Sequence, residues 1–436
     1  SSAASDVYKR QVFGVNDENH DVVGTDLYGK QKMVGNEELE SWLSTRLNPR
    51  IDFEIIDDFD YEDKGHICIF KIPATTNRPV SFLHESYIRV GTITRKLKDF
   101  PAKEAKIWKG SQKPLEKIIL KKGLTGQDVF SFLSAEAYFD MMHLPLPQDT
   151  NGILDRFLSE KLIVTDEVGY GITELGAILF AKHLSDFDGL KRKMVRVIVY
   201  KGKSKIETIR EHNFDKGYAI GFEEMVAWIN SQLPANEEIG LALRKDARMY
   251  PEIAIRELTA NMIIHQDFSE QGFPMIEIYS DRIEFSNPGQ PLISVERFID
   301  EYQSRNDSLA DIMRRMGIRE EKGSGMDKTI FYVELYQLPP VRFQLQETRT
   351  SATVFSYRKF ADLDKSERVS ACYQHACLKY VSNEKMSNQS LRARLGIEDK
   401  NYPMASRIIR DTLKAKWIKE ENSEGSNRHN YIPYWA

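Results

Sequence analysis

The stretch that decides the fold reads Tyr250-Pro251-Glu252-Ile253-Ala254-Ile255-Arg256-Glu257-Leu258-Thr259-Ala260-Asn261-Met262-Ile263-Ile264-His265. A helix is predicted over Glu252 to His265, and Glu257, Asn261 and His265 recur on it at i, i+4 and i+8, which places them on one face. Such a face serves solvent as readily as a ligand, so its downstream neighbours decide its meaning. Strands are predicted over Met275 to Tyr279 and Ile283-Glu284-Phe285, the second running into Ser286-Asn287-Pro288-Gly289. A connection of about 30 residues, Gln290 to Lys322, carries Arg305-Asn306 and a short helix over Ser308 to Met316. Gly323-Ser324-Gly325 then opens a helix over Met326 to Tyr336. Glycines let backbone approach a phosphate closely, and the amides at a helix start favour anions. An Asn oxygen suits Mg²⁺, and a Glu one turn away can activate a water.

Flanking elements complete a two-layer α/β unit over 195–358: a β-branched strand Val195 to Tyr200, a helix Phe222 to Leu233, and a closing hairpin of Phe343 to Glu347 with Thr353 to Tyr357. Upstream, residues 124–183 read as helices (Asp128 to Leu133, Thr150 to Leu158, Leu175 to Lys182) around a hairpin of Leu162-Ile163-Val164 and Tyr170-Gly171-Ile172, a winged-helix-like pattern. Further upstream an α+β unit is predicted over roughly 12–100. Its strands are Val12-Phe13-Gly14-Val15, Val22-Val23-Gly24, Phe53 to Ile56, His66 to Ile72 and Pro79 to Thr92, with a helix from Asn36 to Leu47. The tail, 362–436, reads helix, helix, helix, wing. Its long helix from Pro403 to Lys416 sets Arg407, Arg410, Lys414 and Lys416 against Asp411.

Composition bounds the rest. The chain has 436 residues, about three domains by length, with 41% apolar and 29% charged residues, an ordinary globular balance. With 65 acids against 61 bases the net charge is −4, so any nucleic-acid contact must come from a local patch. No apolar run reaches the roughly 20 residues of a membrane helix. Three cysteines make no disulfide framework, which points to a reducing, cytoplasmic setting. Residues 1–11 share no periodicity with the adjoining strand pattern and are read as a non-native leader, with the natural chain beginning upstream of Val12. Gly323-Ser324-Gly325-Met326-Asp327-Lys328-Thr329 is not a Walker A loop, because Asp327 stands where a glycine should precede the lysine. A helicase motor of the P-loop kind is thereby excluded. Cys372, His375 and Cys377 lie within one predicted helix, where the third falls off the face of the first two. They read as core residues rather than metal ligands. No Gly-x-Ser-x-Gly elbow is present.

Taken together, Glu257-x-x-x-Asn261-x-x-x-His265, Asn287-Pro288-Gly289 and Gly323-Ser324-Gly325-Met326 resemble the three boxes of the GHKL (Bergerat) nucleotide-binding fold of gyrase, histidine kinases and MutL. With His265-Gln266-Asp267-Phe268, Ser304-Arg305-Asn306 and Glu320 to Gly325, the chain is similar over 12–436 to a bacterial family described as RecG-related ATP-dependent DNA helicases or as transcriptional regulators. Its members join a Schlafen-like AlbA domain, a GHKL-type domain and a C-terminal winged helix. The resemblance implies an α+β, multidomain chain: a leader 1–11, a truncated AlbA domain 12–110, a winged-helix-like module 124–190, an ATP-binding domain 191–360 and a winged helix 362–436. It implies ATP and Mg²⁺ as cofactors, with Asn261 on the metal and Glu257 as general base. Asn261, His265, Asn287, Gly289, Arg305, Asn306, Gly323, Ser324 and Gly325 are implied around the nucleotide, under a lid formed by 290–322. Asn287 stands where the second box has Asp; it can still accept a hydrogen bond but carries no charge. The AlbA likeness rests on Val12 to Gly24 and Tyr87 to Thr92, and leaves Arg89 and Arg95 as its nucleic-acid contacts. The family's upstream acidic segment is not in this sequence, so no nuclease residue is assigned.

In the tail, the basic residues of this pattern mark Arg392, Arg394, Arg407, Arg410, Lys414 and Arg428, with His429 beside the last, as DNA contacts, a protein-contact module being the alternative. The resulting expectation is an ATP- and DNA-binding transcriptional regulator, a homodimer by analogy with the wider fold. An ATP-dependent nucleic-acid-processing or defence enzyme of Schlafen type, and a non-catalytic interaction scaffold, are the competing readings.

Overall fold

The computed structural model describes residues 9–16, 19–61, 65–73, 79–83, 85–90, 93–101, 103–104, 107, 113–233, 249–319, 324–346, 348–421 and 429–436. Residues 1–8, Asp17 and Glu18 of the first expected turn, Gly91-Thr92, Gly323 and Arg428 lie outside the described residues. The chain divides into two compact units, Ser1–Gln112 and Lys113–Ala436.

In the first unit, Gly65–Ile72 is the centre of a three-stranded antiparallel sheet between Lys9–Phe13 and Glu54–Tyr61. Lys9 pairs with Ile72 and Gln11 with Phe70, so Lys9, Arg10 and Gln11 are paired into the sheet. The expected strand at Val22 reduces to a single bridge, Val15 to Val22. Gly14, at φ +94°, directly precedes this bridge, and a Cβ there would stand 2.6 Å from the His66 carbonyl oxygen. A second sheet runs Leu47–Asn48, Ser81–Phe82, Glu85–Val90, Ile93–Lys96, with Arg89 and Arg95 exposed on its last hairpin.

The second unit opens with a strand (Ile119–Leu124), three helices (Gly126–Phe132, Ala135–Met141, Thr150–Ser159), a hairpin (Ile163–Thr165, Tyr170–Thr173) and a further helix (Glu174–Phe180). Thr125, Ser134, Asp149 and Thr173 each start a helix by accepting an amide hydrogen bond in the first turn. A six-stranded sheet comes next. Its strands are β1 (Val195–Tyr200), β2 (Thr208–Phe214), β3 (Met275–Ile278), β4 (Arg282–Pro288), β5 (Arg342–Leu345) and β6 (Arg349–Phe355), in the order β2-β1-β3-β4-β6-β5. Only β1 and β3 pair in parallel. The crossover between them carries helices α1 (Tyr218–Gln232) and α2 (Glu252–Ile264); α3 (Asp307–Arg315) and α4 (Ser324–Leu335) lie between β4 and β5.

Alternation sorts the sheet's two faces. Val195, Val197, Val199, Ile276, Ile278, Ile283 and Phe285 join the helical core, while Ile198, Tyr200 and Tyr279 form a small separate cluster with Met275. The tail has α5 (Lys365–Val381), α6 (Asn388–Leu395), α7 (Tyr402–Lys414) and a hairpin of β7 (Ile418–Glu421) with β8 (Asn430–Pro433), with Met386 bridging to Tyr431. One continuous hydrophobic core runs from Leu115 through Ile263 to Ile418, so the helical module, the sheet domain and the tail are packed together rather than strung on linkers. No helix of the described residues is long and apolar enough to cross a membrane.

Candidate functional site

Helix α2 is buried on nearly every side: Ala254, Ile255, Leu258, Ala260, Met262, Ile263 and Ile264 are all below the surface. A helix apolar all round packs in a core, so any polar side chain on it has a fixed surrounding. Glu257 is one of these, 3% exposed. Its carboxylate rests against the first turn of α4, where a Cβ on residue 325 would stand 2.3 Å from Oε2. Glycine is thus the residue that lets these two elements meet. Ser324 is the first residue of α4.

One and two turns along α2, Asn261 and His265 face a cavity of about 100 Å³. Asn287 enters from β4, Gly325 and Met326 from α4, Phe343 from β5 and Thr350 from β6. The connection between β4 and α4 closes the remaining side with Phe298, Glu301, Tyr302 and Arg319. Leu258, Met262, Phe285 and Leu292 supply apolar wall, and Gln303 and Ser351 add polar groups. Asn261, His265, Asn287 and Gly325 therefore share one wall system, with Glu257 directly behind the glycine.

His265 caps α2, its N–H donating to the Asn261 carbonyl at 2.9 Å, and its ring meets Tyr302 edge-on with centroids 5.5 Å apart. Burial, and then the positive charges of Arg319 and Arg305, push its imidazole down to about 4, so the ring is neutral near pH 7. Asn287 is buried, and its Nδ2 donates to the Pro288 carbonyl at 3.2 Å and to that of His265 at 3.3 Å.

Three other residues of the sequence pattern sit behind the cavity. Gly289, at φ +96°, is packed on Asp267, where a Cβ would approach Asp267 Cβ to 2.4 Å. Arg305 forms a buried ion pair with Asp267 and donates to the Gln290 carbonyl at 2.9 Å. Asn306 Nδ2 donates to the carbonyls of Ile264 (2.7 Å) and Gln266 (2.8 Å), satisfying the end of α2 from outside the helix. These three residues fasten His265-Gln266-Asp267 to the strand end. Their donors and space are engaged by protein and are not turned toward the cavity. Tyr302, Arg319, Phe298 and Phe343 line it without having been singled out. Only the β-strand alternation of Phe343 gave any hint; Tyr302 and Arg319 are distant in sequence and meet through the path of the connection.

Among the described residues no group of three or more His, Cys, Asp or Glu could hold a metal ion. Cys372 and Cys377 are buried thiols pushed up to about 12 by desolvation, and His375 Nδ1 is bound to Glu334 at 2.8 Å. In the tail, Arg407, Arg410 and Lys414 are exposed along α7 while Ala405, Ile408, Ile409 and Thr412 are buried. Arg394 departs from the expected DNA face. It is 7% exposed, donates to the Leu338 carbonyl at 2.8 Å and lies 3.4 Å from Glu334, because α6 turns that side chain into the interface with α4. Arg392 is held by Asn388 at 3.0 Å and by an ion pair with Asp399.

Two family models match the chain. The model described as "Schlafen, AlbA_2" covers residues 11–98, and that described as "Putative ATP-dependent DNA helicase recG C-terminal" covers 272–354. The second includes Asn287, Gly289, Arg305, Asn306 and the glycine turn, and begins after the helix with Glu257, Asn261 and His265. The chain is thus similar to a Schlafen AlbA segment followed by a RecG-type C-terminal segment, in a mixed α and β protein. No curated protein matches it. Among solved structures, the DIP2311 protein of Corynebacterium diphtheriae aligns at 12% identity and a TM-score of 0.43, over 97% of this chain and 86% of that one.

Proposed function

We propose that the chain binds ATP with Mg²⁺ in the α2–α4 cavity and DNA through its tail, as a transcriptional regulator whose nucleotide state alters the DNA-contacting module. The observation that carries this reading is the convergence of Asn261, His265, Asn287 and Gly325 on one cavity with Glu257 against the glycine turn. The residues fit the cofactor. Mg²⁺ keeps most of its waters and takes one or two protein oxygens beside phosphate, so Asn261 Oδ1 with Glu257 nearby is an adequate set. The bound ion would neutralise phosphate charge. Asn287, its Nδ2 occupied by backbone, offers Oδ1 to an amino group on the base. Glu257 is the group placed to take a proton from an attacking water. Apolar walls and a neutral His265 suit a flat heterocycle better than a charged one.

The tail is read as a winged helix with α7 as its reading element. The connection that walls the cavity also holds the tail. Phe298, Glu301 and Tyr302 face the cavity, while the Glu296 carbonyl accepts from Tyr373 Oη at 2.8 Å and Arg297 lies 4.7 Å from the Trp435 ring centroid. Closure of 290–322 over a ligand would therefore bear directly on α5 and the C-terminal hairpin.

The test is calorimetric titration of ATP and ADP with Mg²⁺ into native and Asn261→Ala protein. Native protein should bind both, and the variant should lose about tenfold or more in affinity for the Mg²⁺ complexes. Absent heats in both proteins retire the reading.

A further inference from the structure

We infer that Arg319 is the anion receptor of the cavity, the residue that binds the ligand's phosphate charge, with Tyr302 as its stand-in partner when no ligand is bound. This rests on the nucleotide reading above and adds to it a residue that no sequence motif marked. Arg319 is 8% exposed and lines the cavity. Its guanidinium donates to Tyr302 Oη at 2.6 Å and lies 4.0 Å from the centroid of the same ring. A guanidinium has five donors and cannot shed its charge, so burying one costs free energy unless an anion meets it. Among the described residues no carboxylate does so. Glu301, the carboxylate that shares the cavity wall, is engaged elsewhere, 2.9 Å from Arg297. A neutral phenol is what Arg319 holds, and a phenol gives up a cation more readily than a carboxylate does.

Two neighbouring features agree with this assignment. The charge of Arg319 helps keep His265 neutral, so the polar group beside it can accept a hydrogen bond without repelling the guanidinium. Tyr302 and Arg319 also both lie on the connection that closes the cavity, so a ligand anion drawing Arg319 inward would release Tyr302 from it. These contacts define the chemical class: a flat heterocycle for the apolar wall, joined to at least one phosphate for the arginine. A bare nucleoside would leave the buried charge unanswered.

The experiment titrates native protein with Mg-ATP, ADP, AMP and adenosine at low and high ionic strength, and repeats the series with Arg319→Gln and Arg319→Lys. Native affinity should rise from adenosine to the phosphorylated ligands and fall with salt. Arg319→Gln should lose about 10- to 100-fold for the phosphorylated ligands and stay within about twofold for adenosine, as loss of a charge-assisted hydrogen bond predicts. Arg319→Lys should recover part of that loss. If native protein binds adenosine as tightly as ATP, or if folded Arg319→Gln keeps native ATP affinity, the assignment of Arg319 fails while the nucleotide reading stands. If no member of the series binds native protein, both fall. The native series alone decides the matter should the glutamine variant not fold.

Discussion

Asp327 shows what burial does to one side chain. It sits in the first turn of α4, where a carboxylate is normally favoured by the helix amides. Yet its Oδ1 is buried without a hydrogen-bond partner, and desolvation, reinforced by the charge of Asp300, pushes its acid group from 3.8 up to about 6. A raised native value means that the folded state holds the proton more tightly than the unfolded chain. The associated stability is fully present below pH ~4 and is lost as pH rises through about 6. Asp327→Asn should therefore exceed wild type in stability by about 1–3 kcal/mol at pH 8, and the gain should shrink through pH 6 and vanish near pH 4. Urea unfolding at pH 4, 6 and 8 measures it; an equal gain at all three, or a loss at pH 8, contradicts the burial argument. Residue by residue, legibility tracked chain direction. Helical spacing put Glu257, Asn261 and His265 on one face because period alone decides that. Arg305 and Asn306 carried the right chemistry for a ligand, but their side chains meet Asp267 and the end of α2, a meeting set by where a 30-residue connection returns, about which local pattern is silent.

At the scale of elements, the buried ones were readable and the exposed edge was not. β1 and β3 stand out by β-branched and apolar runs, whereas β2 is a polar edge strand, exposed from Thr208 to Asn213, held by pairing with β1 and by no pattern of its own. The helix Ala135–Met141 is short, and the strand expected at Val12-Phe13 starts as early as Lys9, where Gly65–Ile72 pairs with it. The tail helices carry the same lesson into function. On α7 the buried residues at Ala405, Ile408, Ile409 and Thr412 turn Arg407 and Arg410 outward, so the basic face is legible from spacing. On the eight-residue α6 the same reasoning misplaces Arg394, whose guanidinium belongs to the core. The two kinds of arginine should separate by experiment. Replacing Arg407 and Arg410 together by Ala should leave thermal stability nearly unchanged, weaken duplex binding across sequences and reduce the slope of log K against log salt by about 2. Arg394→Ala should instead lower the unfolding midpoint, because it abandons the Leu338 carbonyl and Glu334 in a buried setting. Fluorescence anisotropy over a salt series, beside thermal melts, reads both; a melt unchanged in Arg394→Ala or a slope unchanged in the double variant would reverse these roles.

For the whole molecule, the shared core of the second unit is the consequential feature, because modules joined by packing can exchange free energy and modules joined by linkers exchange little. Sequence spacing marked a helical module, a sheet domain and a tail in order, but the contacts that unite them are single side chains from distant positions. Tyr373 is the clearest. Buried on α5, it donates to the Glu296 carbonyl at 2.8 Å and accepts from Trp435 Nε1 at 3.1 Å, so one hydroxyl ties the cavity's connecting segment to both ends of the tail. Gln374 beside it brackets Val341, its carbonyl accepting from the Val341 N–H (3.2 Å) and its Nε2 donating to the Val341 carbonyl (2.7 Å), fixing α5 against the entry to β5. If ligand occupancy shifts the segment around Phe298 and Glu301, the tail must move with it through this hydroxyl or resist through it. Linkage then requires the effect of ATP on duplex affinity to equal the effect of duplex on ATP affinity. Tyr373→Phe removes the donor and keeps the ring in its packing against Trp417 and Tyr434. The variant should bind ATP alone and duplex alone within about twofold of native, while the coupling factor, measured by anisotropy with and without nucleotide and by calorimetry with and without duplex, falls by roughly 1 kcal/mol toward no coupling. A coupling factor that survives intact in Tyr373→Phe would move the connection to the Gln374 bracket. A native protein in which neither ligand affects the other would mean that the shared core serves stability alone.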